Sequence, residues 1–443
     1  MKKREVSHCN SGLDREIVLD IFRLSTRLVR ATPNGIDRAD ASFAAHFLSA
    51  DASNRKALLL TPLGPRAIRA SAARKIFESI QTHWRETTRP EADPAFLRTR
   101  AVLAGLTPSQ VGLPRRFSAV SLFRPLKTAL KAGPTAGVLH ASAWMQMQAI
   151  GANAVYLNVS HFPLWVSIYF SWLRKRPDIK PVFMIHDLFP IEHPEFFRPN
   201  ELQRQVRGLN VVAETAAGVI VYTPAVADTL MAHLDGLGRK TIPMLVQPLP
   251  VSPIFHEQRE HDELLAAQPY FLICGTIEPR KNHLLLLNLW RELGRSLGSL
   301  APKLILAGAR GWENENILDM LERCPQIRDH VIEAPGLSTP SLKRLIDNAR
   351  AVLMPSFAEG YGLPVAEALA AGIPVLASDL PSFRAMGEGI TRLDPLDGLG
   401  WLAAIRRLSE APAHWAQRRR DRAPAAFSSE TYFQRIEAFL STV

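Results

Sequence analysis

Short runs of apolar and β-branched residues alternate with longer stretches of helical periodicity along most of the chain. This alternation is typical of βαβ units, in which successive strands join one parallel sheet. In the first half it predicts strands at 57–60, 137–140, 154–158, 182–186 and 219–222, and helices at 39–48, 165–175 and 204–216. In the second half it predicts strands at 270–274, 303–307, 330–333, 351–355 and 374–377, with helices between them. The chain is therefore expected to fold as an α/β protein.

The alternation divides into two similar architectures in series. A chain of 443 residues exceeds the size at which a single hydrophobic core stops growing. The Pro-rich segment 247–253 and the highly charged segment 256–263 separate the two halves and are typical of a linker. We therefore predict one domain at 1–250, a second at 251–425, and a terminal helix at 426–443 that begins with a serine cap.

Composition and cysteine use exclude several classes of protein. The chain is 47% hydrophobic and 21% charged, which is typical of a globular protein. No stretch approaches the roughly 18 apolar residues that a membrane-spanning helix needs, and no apolar region follows the basic N-terminus as in a secretory signal. The three cysteines, Cys9, Cys274 and Cys324, have neither disulfide nor metal-ligand spacing. These features predict a cytoplasmic protein.

The net charge of +11 is concentrated in the first half of the chain. Residues 1–250 hold 32 Lys and Arg against 19 Asp and Glu, whereas residues 251–443 hold 21 against 23. No acidic residue lies between Asp93 and Asp178, a span with ten basic residues. A charge run is usually only a solvated surface, but the absence of acids here favours an anionic partner. Charge alone leaves nucleic acid, an anionic membrane and a phosphorylated acceptor open.

The segment FAEGYGLPVAEALAA (357–371) carries the densest chemical signal. Gly360 and Gly362 form a tight turn after a predicted strand, and Pro364 suits the first turn of the helix that follows. The N-terminus of that helix lies beneath a glycine-containing loop, so it is a natural site for an anion. Glu359 and Glu367 can face the same crevice, where they would accept hydrogen bonds from sugar and ribose hydroxyls.

A second loop supplies positive charge. The segment GTIEPRKN (275–282) follows the first predicted strand of the second domain and contains Arg280 and Lys281. On its own, an Arg-Lys pair is usually a solvated helix start. Because both loops follow strands of one predicted sheet, they should meet at its carboxyl edge, where ligands bind in open α/β sheets. There the two cations would neutralise a diphosphate.

These segments resemble the retaining glycosyltransferase family 4, with its group 1 domain, and in particular its bacterial mannosyltransferase-like members. The similarity rests on GTIEPRKN (275–282), LAGARGW (306–312) and PSFAEGYGLPVAEALAAGIPVLASDLPSF (355–383). In the last of these, Glu359 and Glu367 reproduce the Glu-x7-Glu pair of that family. The similarity extends into the first half through NGIDR (34–38), NVSH (158–161) and HDLFPIEHPEFF (186–197), so it covers most of the chain.

The resemblance implies a GT-B fold, in which two Rossmann-like domains with parallel sheets face each other across a central cleft. The second domain would bind a nucleotide sugar and the first an acceptor, with the terminal helix crossing back to the first domain. Arg280 and Lys281 would stabilise the diphosphate leaving group. Glu367 would hold the nucleotide ribose, Glu359 would hold the donor sugar, and His186 would approach the reacting sugar from the first domain.

Further site positions follow from the same matches. The donor-binding positions would be Gly275, Thr276, Gly308, Gly360, Tyr361, Gly362, Leu363 and Glu367. The acceptor-side positions would be Gly35, Arg38, His161 and Asp187. The resemblance also implies catalysis without a metal or other cofactor, and no Asp-x-Asp motif is present. Positive side chains and a helix N-terminus would take the metal's role. The donor would be a GDP-linked, UDP-linked or dTDP-linked sugar.

Some positions depart from the family pattern or have an ordinary structural explanation. Ala385 stands where relatives often carry an acidic residue, and GID at 35–37 is the nearest equivalent of the Gly-Gly loop that opens the first domain. His186 could be a buried, hydrogen-bonded residue at a strand end. Arg38 could serve only as an ion-pair partner of Asp37 or Asp40.

The sequence therefore predicts a retaining hexosyltransferase. It would move a hexose or deoxyhexose, with mannose favoured, from a nucleoside diphosphate sugar to a saccharide or lipid-linked saccharide of a surface polysaccharide such as capsule or lipopolysaccharide. A nucleotide-sugar epimerase or a phosphorylase of the same fold and a non-catalytic sugar-binding scaffold are alternatives. The aromatic run at 162–173, followed by three cations, suits attachment to the inner face of the cytoplasmic membrane. A buried helix with a basic C-terminus explains that run equally well. No nucleic-acid partner is expected.

Overall fold

The computed structural model describes residues 15–27, 33–48, 54–61, 64–84, 87–106, 144–145, 149–410 and 429–443. Over these residues the chain forms two separate β-sheets, of eight and six strands. Each sheet has an apolar core on both of its faces. The α/β architecture with two Rossmann-like halves is thus confirmed. None of the helices within these ranges combines the length and apolarity needed to span a bilayer.

The first sheet has the strand order β4-β3-β2-β1-β5-β6-β7-β8. Its strands are β1 Ile17–Asp20, β2 Arg55–Thr61, β3 Gly64–Arg69, β4 Trp144–Met145, β5 Val155–Asn158, β6 Lys180–Met184, β7 Gly218–Val221 and β8 Met244–Val246. Along this order, each strand from β2 through β1 and β5 to β8 pairs parallel with its neighbour. In contrast, β3 pairs antiparallel with both β2 and β4. This edge differs from the purely parallel sheet that was predicted. Thr61 pairs directly with Gly64, and the two residues between them are too few for the crossover that parallel strands need.

The second sheet is parallel throughout and has the order β11-β10-β9-β12-β13-β14. Its strands are β9 Tyr270–Cys274, β10 Lys303–Ala307, β11 Val331–Glu333, β12 Ala351–Met354, β13 Val375–Ser378 and β14 Ile390–Leu393. Counted from β9, this is the 3-2-1-4-5-6 order of a doubly wound nucleotide-binding domain. The chain reverses its direction of growth between β9 and β12, which leaves a crevice at the carboxyl ends of these two strands.

Helices connect the strands in both halves. In the first half they are Phe22–Thr26, Gly35–Leu48, Ala70–Trp84, Pro94–Leu103, Ser171–Lys175, Phe189–Glu192, Glu201–Thr215 and Pro224–Gly236. In the second half they are Glu263–Ala266, His283–Leu297, Glu315–Arg323, Pro325–Arg328, Thr339–Asn348, Leu363–Ala370, Pro381–Arg384, Gly398–Glu410 and Ser429–Thr442. Short 3-10 turns lie at Pro90–Ala92, Ser167–Phe170, Pro194–Phe196, Pro253–His256, Pro279–Lys281 and Gly298–Leu300.

The predicted strands overlap strands of the structure wherever they fall on described residues, and the predicted strand at 137–140 lies outside them. The strands β1, β3, β4, β8 and β14 were not predicted. The single helix predicted at 165–175 is wrong, because the chain forms the 3-10 turn Ser167–Phe170 and then the short helix Ser171–Lys175. Tryptophan, valine, isoleucine, tyrosine and phenylalanine dominate this stretch, and all lose rotamer freedom in an α-helix.

Successive residues of the central strand β1 supply the two cores of the first half. Ile17 and Leu19 join one apolar cluster, while Val18 joins the cluster on the opposite face of the sheet. All three side chains are buried. Because consecutive side chains of a strand point to opposite faces, an unbroken apolar run such as IVL indicates a strand covered on both sides.

The terminal helix Ser429–Thr442 packs on the first half of the chain rather than on the second. Tyr432, Phe433, Ile436 and Leu440 are buried in the same apolar cluster as the first-sheet residues. The ring of Phe433 lies 5.2 Å from that of Phe43. The helix therefore crosses from the end of the second half back onto the first.

A segment of the first half, residues 87–106, packs on the second sheet. Phe96 and Leu103 belong to the apolar cluster that contains Tyr270 and Val352. Arg100 Nε donates to Asp262 Oδ2 at 2.9 Å. The chain thus connects the two halves here as well as at the terminal helix, a connection that a boundary at residue 250 does not anticipate.

Candidate active site

The candidate site lies where the carboxyl edges of the two sheets face each other. Arg38 follows β1 in the chain, and its Nη1 donates to Glu367 Oε1 of the second half at 2.7 Å. Thr223, which follows β7, donates from Oγ1 to the Gly360 carbonyl oxygen at 3.3 Å. These contacts bring the two predicted halves of the site together.

Arg280, Lys281 and Glu359 form one charged cluster at the crevice between β9 and β12. The Lys281 ammonium donates to Glu359 Oε1, and Arg280 Nη1 lies 3.3 Å from Glu359 Oε2. Ser356 Oγ donates to Glu359 Oε1 at 2.6 Å. The Phe357 amide donates to the Arg280 carbonyl at 2.9 Å, so the backbone also ties the two loops together. The two loops meet at one sheet edge, as the sequence predicted.

The charges of this cluster are strongly coupled. Burial by itself would raise the pKa of Glu359, but Lys281 and Arg280 lower it to about 2. Burial would lower the pKa of Arg280, but Glu359, Glu278 and Asp187 raise it. The Glu359 side chain is only 6% exposed. Glu359 is therefore ionised at neutral pH, and the side chains of Arg280 and Lys281 have more donors than its carboxylate uses.

Glu278 is a member of the cluster that the sequence did not identify. Its Oε1 accepts from Arg280 Nη2 at 2.6 Å, and the residue is buried. The guanidinium of Arg280 also lies 5.1 Å from the ring centroid of Phe189, which comes from the first half. Glu278 lies two residues before Arg280 in the same loop. A single acidic residue in a loop has no distinctive pattern, so the sequence alone does not single it out.

The glycine loop at 360–362 makes close approaches that a side chain would prevent. A Cβ on Gly360 would lie 2.6 Å from the His186 carbonyl oxygen of the facing sheet edge. Gly362 has a φ of 88° and begins the helix Leu363–Ala370, and a Cβ there would lie 2.3 Å from the Phe383 ring. L-residues with a side chain rarely adopt that backbone conformation. The loop therefore presents backbone, followed by a helix N-terminus, to the cleft.

Glu367 is buried on the helix Leu363–Ala370, with 2% of its side chain exposed, and forms the ion pair with Arg38. Arg38 is one of the four residues expected on the acceptor side. The structure instead extends its guanidinium across the cleft to the carboxylate expected to hold the donor's ribose.

His186 is buried, and both of its ring nitrogens are engaged by the protein. Its Nε2 donates to the Val159 carbonyl at 2.7 Å, and its Nδ1 accepts from the Tyr222 hydroxyl. Burial, followed by the charges of His161 and Arg23, lowers its pKa well below the usual range. The ring is therefore neutral, and it is the carbonyl of His186 that meets the glycine loop. The side-chain role expected for His186 stays a prediction.

Asp187 lies between the first half and the charged cluster. A Cβ on Gly360 would be 3.5 Å from the Asp187 Cβ, and Asp187 Oδ1 accepts from the Phe189 amide at 3.3 Å. Burial raises the pKa of Asp187 to about 6 against the lowering effect of Arg280. Asp187 both orders its own loop and lies beside the donor loop.

The two other acceptor-side residues differ in their surroundings. His161 has a φ of 46° and its ring centroid lies 4.9 Å from that of His186. Gly35 is exposed and begins the helix Gly35–Leu48, and nothing lies within 4 Å of where its Cβ would be. The NGID motif here forms a helix cap in which the Asp37 amide donates to Asn34 Oδ1 at 2.9 Å. It is not a glycine loop.

The remaining donor-side positions line the same crevice through backbone. Gly275 and Thr276 follow β9, and the Gly275 amide donates to the Ala307 carbonyl at 3.1 Å, directly before Gly308. A Cβ on Gly308 would collide with the Gly275 carbonyl oxygen.

Tyr361 lies within the glycine turn and Leu363 directly follows it, and both are half-buried. Tyr361 packs on the core of the first half, 6.1 Å from the Tyr222 ring. The Tyr361 ring therefore packs between the two halves of the chain, and its donor-binding role stays a prediction.

A profile of the family described as glycosyl transferases group 1 matches residues 255–387. The serotype-specific mannosyltransferase WbdA of Escherichia coli is 27% identical over 222 residues, which are 46% of this chain and 27% of WbdA. The O-antigen chain mannosyltransferase B of Escherichia coli is 38% identical over 135 residues, 30% of this chain and 35% of that protein. RfbU, an O-antigen chain mannosyltransferase of Salmonella typhimurium, is 25% identical over 52% of this chain and 60% of its own length. The chain thus spans about a quarter to three fifths of these relatives.

Solved structures are similar over nearly the whole chain. HepE of Anabaena, crystallised with UDP and glucose, has a TM-score of 0.60 at 16% identity, over 97% of this chain and 100% of HepE. The UDP-forming α,α-trehalose-phosphate synthase of Burkholderia vietnamiensis has a TM-score of 0.56 at 11% identity, over the same shares. At such identities the similarity establishes the fold, which is GT-B. Membership of family 4 stays a prediction. Residues 255–387 therefore form a group 1 glycosyltransferase domain, within a chain that has the two-domain GT-B fold.

Proposed function

We propose that the chain is a retaining, metal-independent glycosyltransferase that moves a hexose, mannose first among the candidates, from a nucleoside diphosphate sugar to a saccharide or lipid-linked saccharide. The observation that carries this proposal is the buried cluster of Arg280, Lys281 and Glu359 at the switch point of the group 1 domain. A diphosphate in that crevice would meet two cations and the N-terminus of the helix Leu363–Ala370.

The proposed chemistry depends on charge that develops as the sugar–phosphate bond breaks. Arg280 and Lys281 would stabilise the departing diphosphate, because preorganised positive groups in a dry site lower the energy of that charge most. Glu359 and Glu367 would hold hydroxyls of the donor sugar and of the ribose. The leaving phosphate would help to deprotonate the acceptor on the same face, which retains the anomeric configuration.

Substrate and pathway rest on the names of the relatives. The matched proteins of Escherichia coli and Salmonella typhimurium are mannosyltransferases, two of them of the O-antigen chain, which supports a role in surface polysaccharide synthesis. HepE was crystallised with UDP and glucose. We therefore propose a GDP-linked, UDP-linked or dTDP-linked hexose as donor.

The test is an assay of the full chain with a panel of these donors and saccharide acceptors, read by mass spectrometry, with and without EDTA. We expect transfer that EDTA leaves unchanged and that Glu359→Ala and Lys281→Ala each reduce by at least about a hundredfold. Lys303→Ala, a lysine at the opposite end of β10, is the matched control. Full-rate turnover in both site variants would contradict the site assignment. Turnover of donor without an acceptor would indicate an epimerase instead.

Attachment to an anionic membrane is a further part of the proposal. Ile168 is 73% exposed and lies in the 3-10 turn before the exposed cations Arg174 and Lys175. Five cations of the acid-free span, Arg115, Arg116, Arg124, Lys127 and Lys131, lie outside the described residues. We expect co-sedimentation with anionic liposomes that weakens with salt. Equal binding to neutral vesicles would contradict it. Such a surface would hold a cytoplasmic enzyme at the inner face of the membrane.

A further inference from the structure

Phe189 is a buried aromatic residue whose burial no hydrophobic core explains. It is 7% exposed and begins the short helix Phe189–Glu192 that follows β6. It belongs to none of the four apolar clusters of the described residues, whereas its neighbour Leu188 joins a core of the first sheet. Buried rings normally lie in such cores, because the burial of their apolar surface stabilises the fold. The burial of Phe189 therefore has another cause.

The ring of Phe189 contacts a cation of the second half of the chain. The Cζ atom of Arg280 lies over this ring, 5.1 Å from its centroid, which is within the range of a cation–π contact. Only 13% of the Arg280 side chain is exposed, so water is largely excluded from the contact. A cation–π contact is strongest when it is desolvated. Phe189 of the first half thus binds one of the two cations of the donor-side cluster.

The edges of the Arg280 guanidinium are held by acceptors of its own half. Its Nη2 donates to Glu278 Oε1 at 2.6 Å, and its Nη1 donates to the Ala358 carbonyl. The same Nη1 lies 3.3 Å from Glu359 Oε2. Its Nε has no hydrogen-bond partner among the described residues. A guanidinium has five N–H donors, so donors remain for a further oxygen ligand.

Carboxylates and an aromatic ring orient a guanidinium in different ways. Glu278 and Glu359 hold Arg280 with negative charge, which also opposes the approach of a diphosphate. The face of Phe189 attracts the cation through its quadrupole and carries no net charge. The ring therefore fixes the direction of the guanidinium without neutralising it. A cation that is preorganised in this way stabilises the charge that develops in a transition state.

A second aromatic contact holds the same loop against the donor side. The ring of Phe196 stacks on that of Phe357 at a centroid distance of 5.4 Å and an angle of 11°. The Phe196 carbonyl accepts from Trp312 Nε1 at 3.1 Å. The Phe357 amide in turn donates to the Arg280 carbonyl. The loop 189–196 of the first half therefore rests on the arginine and on the backbone that adjoins it.

We propose that Phe189 is a positioning residue for sugar transfer, whose ring holds the Arg280 guanidinium in the direction from which it stabilises the departing diphosphate. This inference rests on the proposed transferase function and deepens it, because the first half then supplies part of the leaving-group site. The effect is largest where the charge is greatest, in the transition state and in the free nucleoside diphosphate. The nucleotide sugar depends on the ring less, because its outer phosphate is esterified to the sugar.

The test replaces Phe189 in the full chain with phenylalanines that carry one, two or three ring fluorines. Fluorine withdraws electron density from the ring face and weakens its attraction for a cation, while the ring keeps nearly its size. We expect kcat for transfer to fall with each fluorine. In Phe189→Leu we expect kcat to be about tenfold lower, with the donor KM nearly unchanged. The fluorinated series keeps the shape of the ring, so the result does not depend on whether the leucine variant folds.

The matched control is the same fluorinated series at Phe47, another buried phenylalanine that contacts an arginine. Arg55 Cζ lies 5.9 Å from the centroid of this ring, which belongs to the core that includes the terminal helix. Fluorine at Phe47 should leave kcat unchanged. A kcat that does not depend on fluorine at Phe189, or that falls equally at Phe47, would overturn the inference.

Binding of the free leaving group gives a second readout that does not depend on turnover. In calorimetric titrations with GDP, UDP and dTDP, the diphosphate that binds the wild-type chain most tightly should lose about tenfold in affinity in Phe189→Leu. Its affinity should also fall stepwise through the fluorinated series. The nucleotide sugar of the same base should lose less than about threefold, because it carries less charge at the same oxygens.

Each outcome of these titrations separates the inference from the proposed function. An equal loss for the diphosphate and the nucleotide sugar, or no loss for either, would overturn the inference and leave the transferase function standing. A diphosphate affinity that falls with fluorine at Phe189, in a chain that transfers sugar from no donor, would overturn the transferase function and leave the role of Phe189 standing. Binding of none of the three diphosphates would overturn both.

Discussion

Glu359 combines burial with two neighbouring cations, and its protonation should therefore be linked to folding. Its pKa is about 2 in the folded chain against an ordinary value of 4.5. A carboxylate with a lowered folded-state pKa stabilises the protein fully above the ordinary value and loses that contribution as the pH falls towards the folded one. We expect this group to remove about 2 kcal/mol of unfolding free energy between about pH 5 and pH 3, as measured by urea denaturation.

Glu359→Gln isolates this contribution, because glutamine does not ionise in that range. Its unfolding free energy should decrease by about 2 kcal/mol less than that of the wild type over the same interval. Glu388→Gln changes an exposed carboxylate and should behave as the wild type does. Parallel pH profiles for the wild type and Glu359→Gln would show that the cluster with Lys281 and Arg280 does not bias the protonation of Glu359.

At the scale of elements, the segment 87–106 depends on Asp93. Its Oδ1 accepts from the Ala95 amide at 2.9 Å and caps the helix Pro94–Leu103, while its Oδ2 accepts from the Ser338 amide at 2.8 Å. Ser338 in turn caps the helix Thr339–Asn348. Asp93→Ala should lower the unfolding free energy by about 1–3 kcal/mol, because it removes a cap and leaves a buried amide unpaired. Glu91→Ala, 70% exposed in its side chain, is the control for chemical denaturation, and an equal effect would contradict the prediction.

The terminal helix Ser429–Thr442 is the second element that joins the two halves. Ile436 is fully buried in the core of the first half, so Ile436→Ala should destabilise the chain by about 2–4 kcal/mol through lost burial and a cavity. Gln434→Ala on the exposed face of the same helix should change the thermal midpoint little. If both variants melt at the wild-type temperature, the helix does not contribute to the core as described.

At the scale of the whole molecule, the ion pair of Arg38 and Glu367 couples the two halves directly. Glu367 is 2% exposed in its side chain and Arg38 is 23% exposed. Arg38→Ala leaves the buried carboxylate without this partner, so we expect a loss of about 2 kcal/mol or more in unfolding free energy, of which the double variant with Glu367→Ala recovers a part. The exposed pair Glu292 and Arg295 should show no measurable coupling in the same double-mutant cycle. Additive effects at Arg38 and Glu367 would contradict the coupling.

The second half of the chain is more predictable from its sequence than the first. In the second half, the strands and the two loops with Arg280, Lys281 and Glu359 were predicted and lie together, because β9 and β12 are neighbours and their loops share one edge. In the first half, the strand β1, the antiparallel edge at β3 and the course of residues 87–106 were not predicted. Short strands give weak patterns, and a segment that crosses to the other half carries no local sign of its destination.

The sequence by itself determined where the second half places its charged residues and its glycine loop. The alternation of apolar runs defined parallel strands, and fixed positions after those strands put charge and glycine at one edge, since the period of a strand and the geometry of a parallel sheet leave few other arrangements. Only the tertiary structure decided that Arg38 meets Glu367 and that His186 offers its carbonyl to the glycine loop while its ring is occupied. These contacts join residues far apart in the chain, and their partners are set by how two halves pack, which no local pattern encodes.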